Sequence, residues 1–318
     1  MNVLITGGAG YIGSTIANYL LDKKCIVTVV DNLATGKIEN IPMGCIFFKC
    51  DIADKKKISH ILKKKFDLVI HFAAYIKVDE SILKPKKYIN NNYLKSKIFI
   101  NLCIKNKIKN LIVSSTAAVY KSSNKKVTEN SILYPLSPYS KSKLNLEKFL
   151  FRKNKINFII LRYFNVGGVE RKMRSGFDIK NKSLISNLLN SLIKKKNFFI
   201  YGNQYSTKDG TAIRDFIHVN DLAYIHYKFA KKILKKKYNK IFNCGYGKPM
   251  TVLDIYNIFC KAYNKFPQII YKKNKKNDIG ISISDISRLK REISIKYSKK
   301  KIDDLAKSSI KWFLKKSN

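Results

Sequence analysis

The sequence predicts a doubly wound parallel α/β sheet joined to a smaller, less regular α/β domain. Three observations carry this. Short Val/Ile-rich runs recur through the first half, helical stretches lie between most of them, and a glycine-spaced turn follows the first run. The runs are apolar without clean alternation, as strands buried on both faces should be.

Taken in order, NVLIT (2–6) reads as the first strand and 11–21 as the first helix. CIVTVV (25–30), CIFFK (45–49), DLVIH (67–71), NLIVSS (110–115) and NFIILRYF (157–164) read as further strands. Strand–helix alternation of this kind builds a parallel sheet with helices on its faces. Beyond residue 165 the pattern loosens: loop-like VGGVERKMRSG and YGNQYSTKDGT alternate with helical stretches near 183–195, 251–263 and 303–316. The expected division is residues 1–165 for the first domain and 166–318 for the second, with 214–244 returning to the first.

Size and composition bound the function. A chain of 318 residues, 45% hydrophobic, makes one large or two modest globular domains rather than a disordered polymer. No apolar run approaches the roughly 18–20 residues of a membrane span. The opening MNVLITGG has neither basic leader nor cleavage site, and the six cysteines show no C-x-x-C spacing and no metal-site pairing with the four histidines. A reduced, cytoplasmic protein without a metal is therefore expected.

The net charge of +43 invites a nucleic-acid reading. However, the lysines fall in short runs throughout (55–57, 63–65, 194–196, 235–237, 299–301), among many Ile and Asn. All three residue types have A/T-rich codons, so base bias explains the pattern, and no element concentrates charge with interleaved aromatics. No specific nucleic-acid partner is expected. The charge should still speed the capture of anionic ligands.

ITGGAGYIG places Gly7, Gly10 and Gly13 between the first strand and first helix. Glycines there permit a tight turn and let a pyrophosphate approach the helix N-terminus, where amides and dipole favour anions. Strand–turn–helix context at the start of the chain makes this a Rossmann-type dinucleotide turn. The second strand ends in Asp31, whose carboxylate suits an adenosine ribose and repels a 2′-phosphate, so NAD is favoured over NADP. Asp51, in CDI at another strand end, suits an adenine amino group. HFAA (71–74) ends the fourth strand with small residues that leave room for a cofactor. At each position an ordinary strand-end role competes.

The stretch SPYSKSK sets Tyr139 four residues before Lys143. Spacing alone says nothing, because seven tyrosines in this chain have a lysine four residues on. Context separates this pair. Its proline suits a helix start, so the two side chains share one face, and Thr116 closes the fifth strand at the carboxyl edge where such sheets bind ligands. An ammonium about 5 Å from a phenol, at an effective dielectric of ~20, contributes on the order of 3 kcal/mol, which predicts a Tyr139 pKa lowered by roughly two units.

These motifs resemble the extended short-chain dehydrogenase/reductase family and, within it, the UDP-glucose (UDP-galactose) 4-epimerases. The resemblance runs over nearly the whole chain through VLITGGAGYIGS, DN, VIHFAA, ES…KP…Y…NN, SSTAAVY, PYSKSK, LRYFNVGG, YSTKDGTAIRDFIHVNDLA and FNCGYG. It implies Tyr139 as the base, Lys143 as the residue lowering its pKa, and Thr116 as the hydrogen-bonding partner of the sugar C4 oxygen. It implies NAD held by Gly7, Gly10, Tyr11, Ile12, Gly13, Asp31, Asn32, Asp51, Ile52, Phe72, Ala73, Ala74, Asn92, Ser114, Tyr139 and Lys143. For a UDP-hexose it implies Lys77, Thr116, Asn165, Tyr201, Arg214, Lys275 and Asp278, and for the assembly a homodimer.

Departures from the resemblance bear on detail. Lys121 and Lys95 stand where glycine is usual, and Lys275 stands where an arginine is usual, losing a bidentate phosphate grip. KSLIS (182–186) lacks the usual flanking residues. Ser282 occupies the position of a size gate, so N-acetylhexosamines are an alternative substrate class. A 4,6-dehydratase or decarboxylase needs an acid just after the catalytic threonine, where this chain has Ala117 and Ala118. A non-enzymatic NAD-sensing protein would not need Thr116, Tyr139 and Lys143 together. For Arg214, a structural ion pair with Asp215 is the competing role; for Lys77, a solvated surface position.

Overall fold

A computed structural model of the chain describes residues 1–274 and 279–317. Two compact units form: Met1–Lys121, Ile132–Tyr163 and Leu222–Phe242 make the first, and Ser122–Ser131, Phe164–Asp221 and Asn243–Asn318 the second.

The first unit contains β1 (Asn2–Thr6), β2 (Ile26–Asp31), β3 (Ile46–Lys49), β4 (Leu68–His71), β5 (Asn110–Thr116) and β6 (Asn157–Tyr163). With Lys240–Cys244 at one edge they form a seven-stranded sheet, running Lys240–Cys244, β6, β5, β4, β1, β2, β3. β1 pairs in parallel with both β2 and β4, so the connection order reverses there. That reversal opens a crevice at the carboxyl ends of β1 and β4, where doubly wound sheets take ligands. Each predicted strand is present within a residue or two.

Both faces of the sheet are buried, which explains the unbroken apolar runs. Leu4, Val69, Leu111 and Ile160 pack on one face with Phe99, Ile100, Leu146 and Leu150. Ile5, Ile70, Ile112 and Ile159 are fully buried as well. At about 25 cal/mol per Å², a fully buried side chain of this size contributes roughly 1.5–3 kcal/mol, so these strands anchor the unit.

The helices of this unit are α1 (Tyr11–Asp22), α2 (Lys55–Leu62), α3 (Val78–Leu83), α4 (Pro85–Ile89), α5 (Ser96–Lys105) and α6 (Pro138–Phe151), with Val219–Ile233 entering it from the second. Asp54 starts α2 by accepting from the Lys57 amide at 3.0 Å. α6 starts with Pro138 at its first turn and a capping box in which Ser137 and Ser140 satisfy each other's amides. The sequence SPYS thus fixes where Tyr139 begins its helix. Between α4 and α5, Asn90–Lys95 widens into a π-helical turn, a feature frequent at functional sites.

The second unit is built from short pieces. Asn165–Gly167 pairs in parallel with Phe216–His218, and Phe198–Tyr201 with Ile269–Lys272. Ile213–Arg214 lies between Met250–Thr251 and Ile281–Ser282. Helices Leu184–Ile193, Val252–Tyr263, Ser287–Glu292 and Lys299–Ser317 complete it. Trp312 on the last of these donates to the Phe177 carbonyl at 2.9 Å. Among the described residues no helix is long and apolar enough to cross a membrane, and no three metal-binding side chains cluster.

Candidate active site

The glycine turn lies between β1 and α1. Gly7 has φ of 74°, and a Cβ there would stand 2.6 Å from the Ala73 amide nitrogen. A Cβ on Gly13 would stand 2.3 Å from the Gly7 carbonyl oxygen. Both positions therefore require glycine. No side chain caps α1, and its first turn holds no acid. The Ile12 and Gly13 amides in that turn have no intrahelical acceptor, so a positive helix end overlies a turn with no side-chain bulk. These features fit a dinucleotide pyrophosphate. Gly10, Tyr11 and Ile12 are half-buried around the turn.

Asp31 ends β2 and is tied to this turn. Its carboxylate accepts from the Ala9 amide at 3.0 Å and the Leu33 amide at 2.8 Å. Burial pushes its carboxyl above the ordinary range, and the Leu33 and Ala9 amides oppose the shift. A carboxylate has about four acceptor positions, so the turn-anchoring role and a ribose contact are compatible at one side chain. Beyond β3, Asp51 accepts from Lys95 Nζ at 2.6 Å, Asn32 Nδ2 at 3.2 Å and the Ala53 amide at 2.9 Å. Burial pushes Asp51 up, but Lys95 and the other donors outweigh it and hold the carboxyl below its usual range. Ile52 is buried in the apolar cluster under the sheet.

Phe72, Ala73 and Ala74 follow β4 and are half-buried. Beneath them His71 bridges Thr6 Oγ1 at 2.7 Å and Ser96 Oγ at 2.9 Å. Burial, with a smaller contribution from the Lys143 charge, pushes the imidazole down to about 3, so it is neutral at physiological pH. Asn92, on the π-helical turn, holds the Tyr75 backbone in both directions, accepting from its amide at 2.8 Å and donating to its carbonyl at 2.9 Å. It also donates to Ser142 Oγ at 3.3 Å. Its visible work is to fix the Tyr75 backbone, just past the 72–74 stretch.

Thr116 at the end of β5 and Tyr139 on α6 come together, close enough for the threonine hydroxyl to ease the ionisation of the tyrosine phenol. Lys143, one turn along α6 and buried, donates to the Ser114 carbonyl at 2.8 Å and Ser114 Oγ at 3.2 Å. The expected lowering of the Tyr139 pKa by Lys143 is not what this arrangement gives. Burial raises the phenol, and the Thr116 hydroxyl only partly opposes it. The reason is desolvation. The same burial pushes Lys143 down to about 8, with Glu147 opposing, so the lysine is itself costly to charge.

Two supporting groups lay outside the sequence reading. Glu147, four residues past Lys143 on α6, is buried and takes Arg162 in a two-point ion pair, Nε–Oε1 at 3.0 Å and Nη2–Oε2 at 2.5 Å. The Ser115 hydroxyl also donates to it, and Arg162 lies 4.8 Å over the Tyr120 ring. The i+4 spacing from Lys143 was its only sequence signal. Tyr88 meets Tyr139 edge-on with centroids 6.5 Å apart. Its hydroxyl donates to Glu80 at 3.0 Å and accepts from the Lys77 amide at 3.1 Å. The Lys77 side chain is exposed.

The remaining expected residues belong to the second unit. Asn165 is half-buried, and its amide donates to the Asp215 carbonyl at 3.0 Å, next to Arg214 in the chain. Arg214 Nη1 donates to the Ile213 and Gly280 carbonyls at 3.0 and 3.2 Å. Asp215 is buried, and its carboxylate accepts from the amides of Tyr246, Gly247 and Ser284 and from the Ser284 hydroxyl. Tyr201 ends its strand and is exposed. Lys275 and Asp278 lie outside the described residues.

The sequence matches the NAD dependent epimerase/dehydratase family over residues 3–245. Over 98% of its length the chain is 33% identical to the UDP-glucose 4-epimerase of Lactobacillus helveticus, 97% of which it covers. The crystal structure of UDP-glucose 4-epimerase from Bifidobacterium longum, in complex with NAD+ and UDP, superposes with a TM-score of 0.90 at 30% identity, covering 100% of this chain and 99% of that one. The UDP-Glc/GlcNAc 4-epimerase of Campylobacter jejuni superposes with a TM-score of 0.84 at 31% identity, covering 99% of each chain. With most of its length matched and its fold shared end to end, the chain belongs to the NAD-dependent epimerase/dehydratase family.

Proposed function

We propose that the chain catalyses NAD-dependent 4-epimerisation of UDP-hexoses, interconverting UDP-glucose and UDP-galactose through a transient 4-keto sugar. The observation that carries this reading is the Thr116–Tyr139 hydroxyl pair at the carboxyl end of β5, in the same unit as the uncapped glycine turn. Bound NAD supplies a reversible hydride acceptor and a positive ring that offsets the burial of the phenol. Gly7, Gly10, Tyr11, Ile12 and Gly13 hold its pyrophosphate, Asp31 and Asn32 a ribose, and Asp51 with Ile52 the adenine. Phe72, Ala73 and Ala74, backed by Asn92, leave space for the nicotinamide half, and Ser114 fixes Lys143 beside it.

Tyr139 takes the proton of the C4 hydroxyl while Thr116 holds the same oxygen, so charge on that oxygen never develops unaccompanied. When hydride returns to the opposite face of the turned sugar, Tyr139 gives the proton back. Nothing is oxidised overall. In the second unit Asn165 and Arg214 are assigned to the diphosphate, Tyr201 to the uracil, Lys275 and Asp278 to the uridine, and Lys77 to the sugar. A dehydratase is disfavoured because the turn Ala117–Val119 offers no acid beside Thr116.

Ser282 favours a second substrate class. It pairs in register with Arg214 and is small, so an N-acetyl group at C2 meets little bulk there. The similarity to the Campylobacter jejuni UDP-Glc/GlcNAc enzyme points the same way. A negligible rate with UDP-N-acetylglucosamine beside brisk UDP-galactose turnover would remove this extension. The same reading sets the enzyme in the cytoplasm, which six free cysteines suit, and as a homodimer, which sedimentation tests.

The deciding experiment incubates the purified protein with UDP-galactose and no added NAD, then analyses the product sugar. UDP-glucose is the expected product, formed without net NADH. Absence of conversion both without and with supplied NAD would contradict the reading.

A further inference from the structure

Lys95 sits on the π-helical turn, 44 residues from Asp51 in sequence, yet its ammonium lies 2.6 Å from Asp51 Oδ2. Asn32 Nδ2 shares that oxygen at 3.2 Å, and the Ala53 amide takes Oδ1 at 2.9 Å. Asn32 follows β2 and Asp51 follows β3, so all three side chains meet beyond the carboxyl ends of the strands, next to the Asp31 that ties the glycine turn. Three donors on a carboxylate with about four acceptor positions leave one for a ligand amino group. An ammonium has three donors, and only one is spent here.

We infer that Lys95 and Asp51 form one two-signed recognition pair for the purine end of the dinucleotide, so that the pocket accepts a hydrogen bond from a 6-amino group through Asp51 and donates one to a 6-oxo group through Lys95. This rests on the NAD site proposed above. An unpaired carboxylate would reject a 6-oxo purine, because two acceptors would face each other without a proton between them. With Lys95 beside it the pocket tolerates both. Lys95 therefore sets how narrowly the adenine end is read, and it does so at a position where glycine would leave Asp51 without a cationic partner. Both side chains are half-exposed, so the pair contributes little to folding and the effect falls on ligand choice.

The test is a competition at equilibrium. Holoenzyme is exchanged against an equimolar mixture of NAD and nicotinamide hypoxanthine dinucleotide, which carries oxygen for the 6-amino group and a proton on N1. Free nucleotide is removed, and the protein-bound dinucleotides are quantified by mass spectrometry. The wild-type protein should hold the two within about threefold of each other. Lys95→Met should shift the bound ratio toward NAD by about tenfold or more, and Lys95→Arg should restore it. An unchanged ratio in Lys95→Met overturns the inference, provided that Asp51→Ala weakens NAD retention. If Asp51→Ala retains both dinucleotides as wild type does, the assignment of the adenine to Asp51 fails first, and the inference with it.

Discussion

Lys143 and Lys95 are the same side chain in the same unit, and their surroundings make them opposites. Lys143 is buried on α6 and donates to a neutral carbonyl and hydroxyl at Ser114. Lys95 is half-exposed and meets a carboxylate at 2.6 Å. Burial without a contacting counter-charge makes Lys143 a tunable ammonium, depressed to about 8. Lys95, paired with a carboxylate at the edge of solvent, contributes by recognition. Burial and the nature of the partner, more than residue type, decide which chemistry a lysine can do.

The comparison is broken most easily through Glu147. If it holds the neighbourhood of Lys143 electrostatically, Glu147→Ala leaves Arg162 buried and uncompensated. The expected cost is about 3–5 kcal/mol of stability, read by chemical denaturation. A loss under about 1 kcal/mol would mean the pair is not buried as described. Next, Lys143→Met should lower the rate of UDP-galactose conversion by about a hundredfold, while Lys95→Met leaves the rate within about threefold. Equal losses in the two variants would erase the distinction.

The third effect depends on pH. The folded pKa of Lys143 is depressed, from an ordinary value near 10.5 to about 8. Between those values the unfolded chain binds a proton that the folded chain does not, so folding gains stability as pH rises. The gain is complete above about 10.5 and is lost as pH falls through about 8. Wild type minus Lys143→Met, measured by denaturant titration at several pH values, should therefore move in favour of wild type across this window. A flat difference would show that the ammonium is not desolvated. The smallest effect is on stability in Lys95→Met, where a half-exposed pair should contribute under about 1 kcal/mol. A larger loss would make Lys95 structural.

Six of the seven strands were legible because burial on both faces imposes unbroken Val/Ile runs, a signal local to each segment, whereas the edge strand Lys240–Cys244 has no such run and was not read as a strand. The glycine turn was legible because Gly7 and Gly13 meet backbone, where no other residue fits. Tyr139 was legible through SPYS, whose capping box sets the start of α6, and through Thr116 at the end of the fifth strand. Glu147 looks like any polar helix residue in a lysine-rich chain, and only the position of Arg162 on a neighbouring strand reveals its burial. Lys95 was visible as a substitution for glycine, but its partner, 44 residues away, was not. The pKa of Tyr139 was misjudged for a related reason: a pairwise charge can be read from spacing, whereas desolvation depends on everything packed around the group.

The central claim is that Thr116 and Tyr139 act as one unit on one oxygen, and a double-mutant cycle tests it most directly. UDP-galactose conversion is measured for Thr116→Val, Tyr139→Phe and the double variant, each with its bound dinucleotide quantified. If they act together, Tyr139→Phe alone costs about a thousandfold or more and the double variant little beyond that, because groups acting as a unit are not additive. Losses that multiply in the double variant, with the dinucleotide still bound, would contradict it.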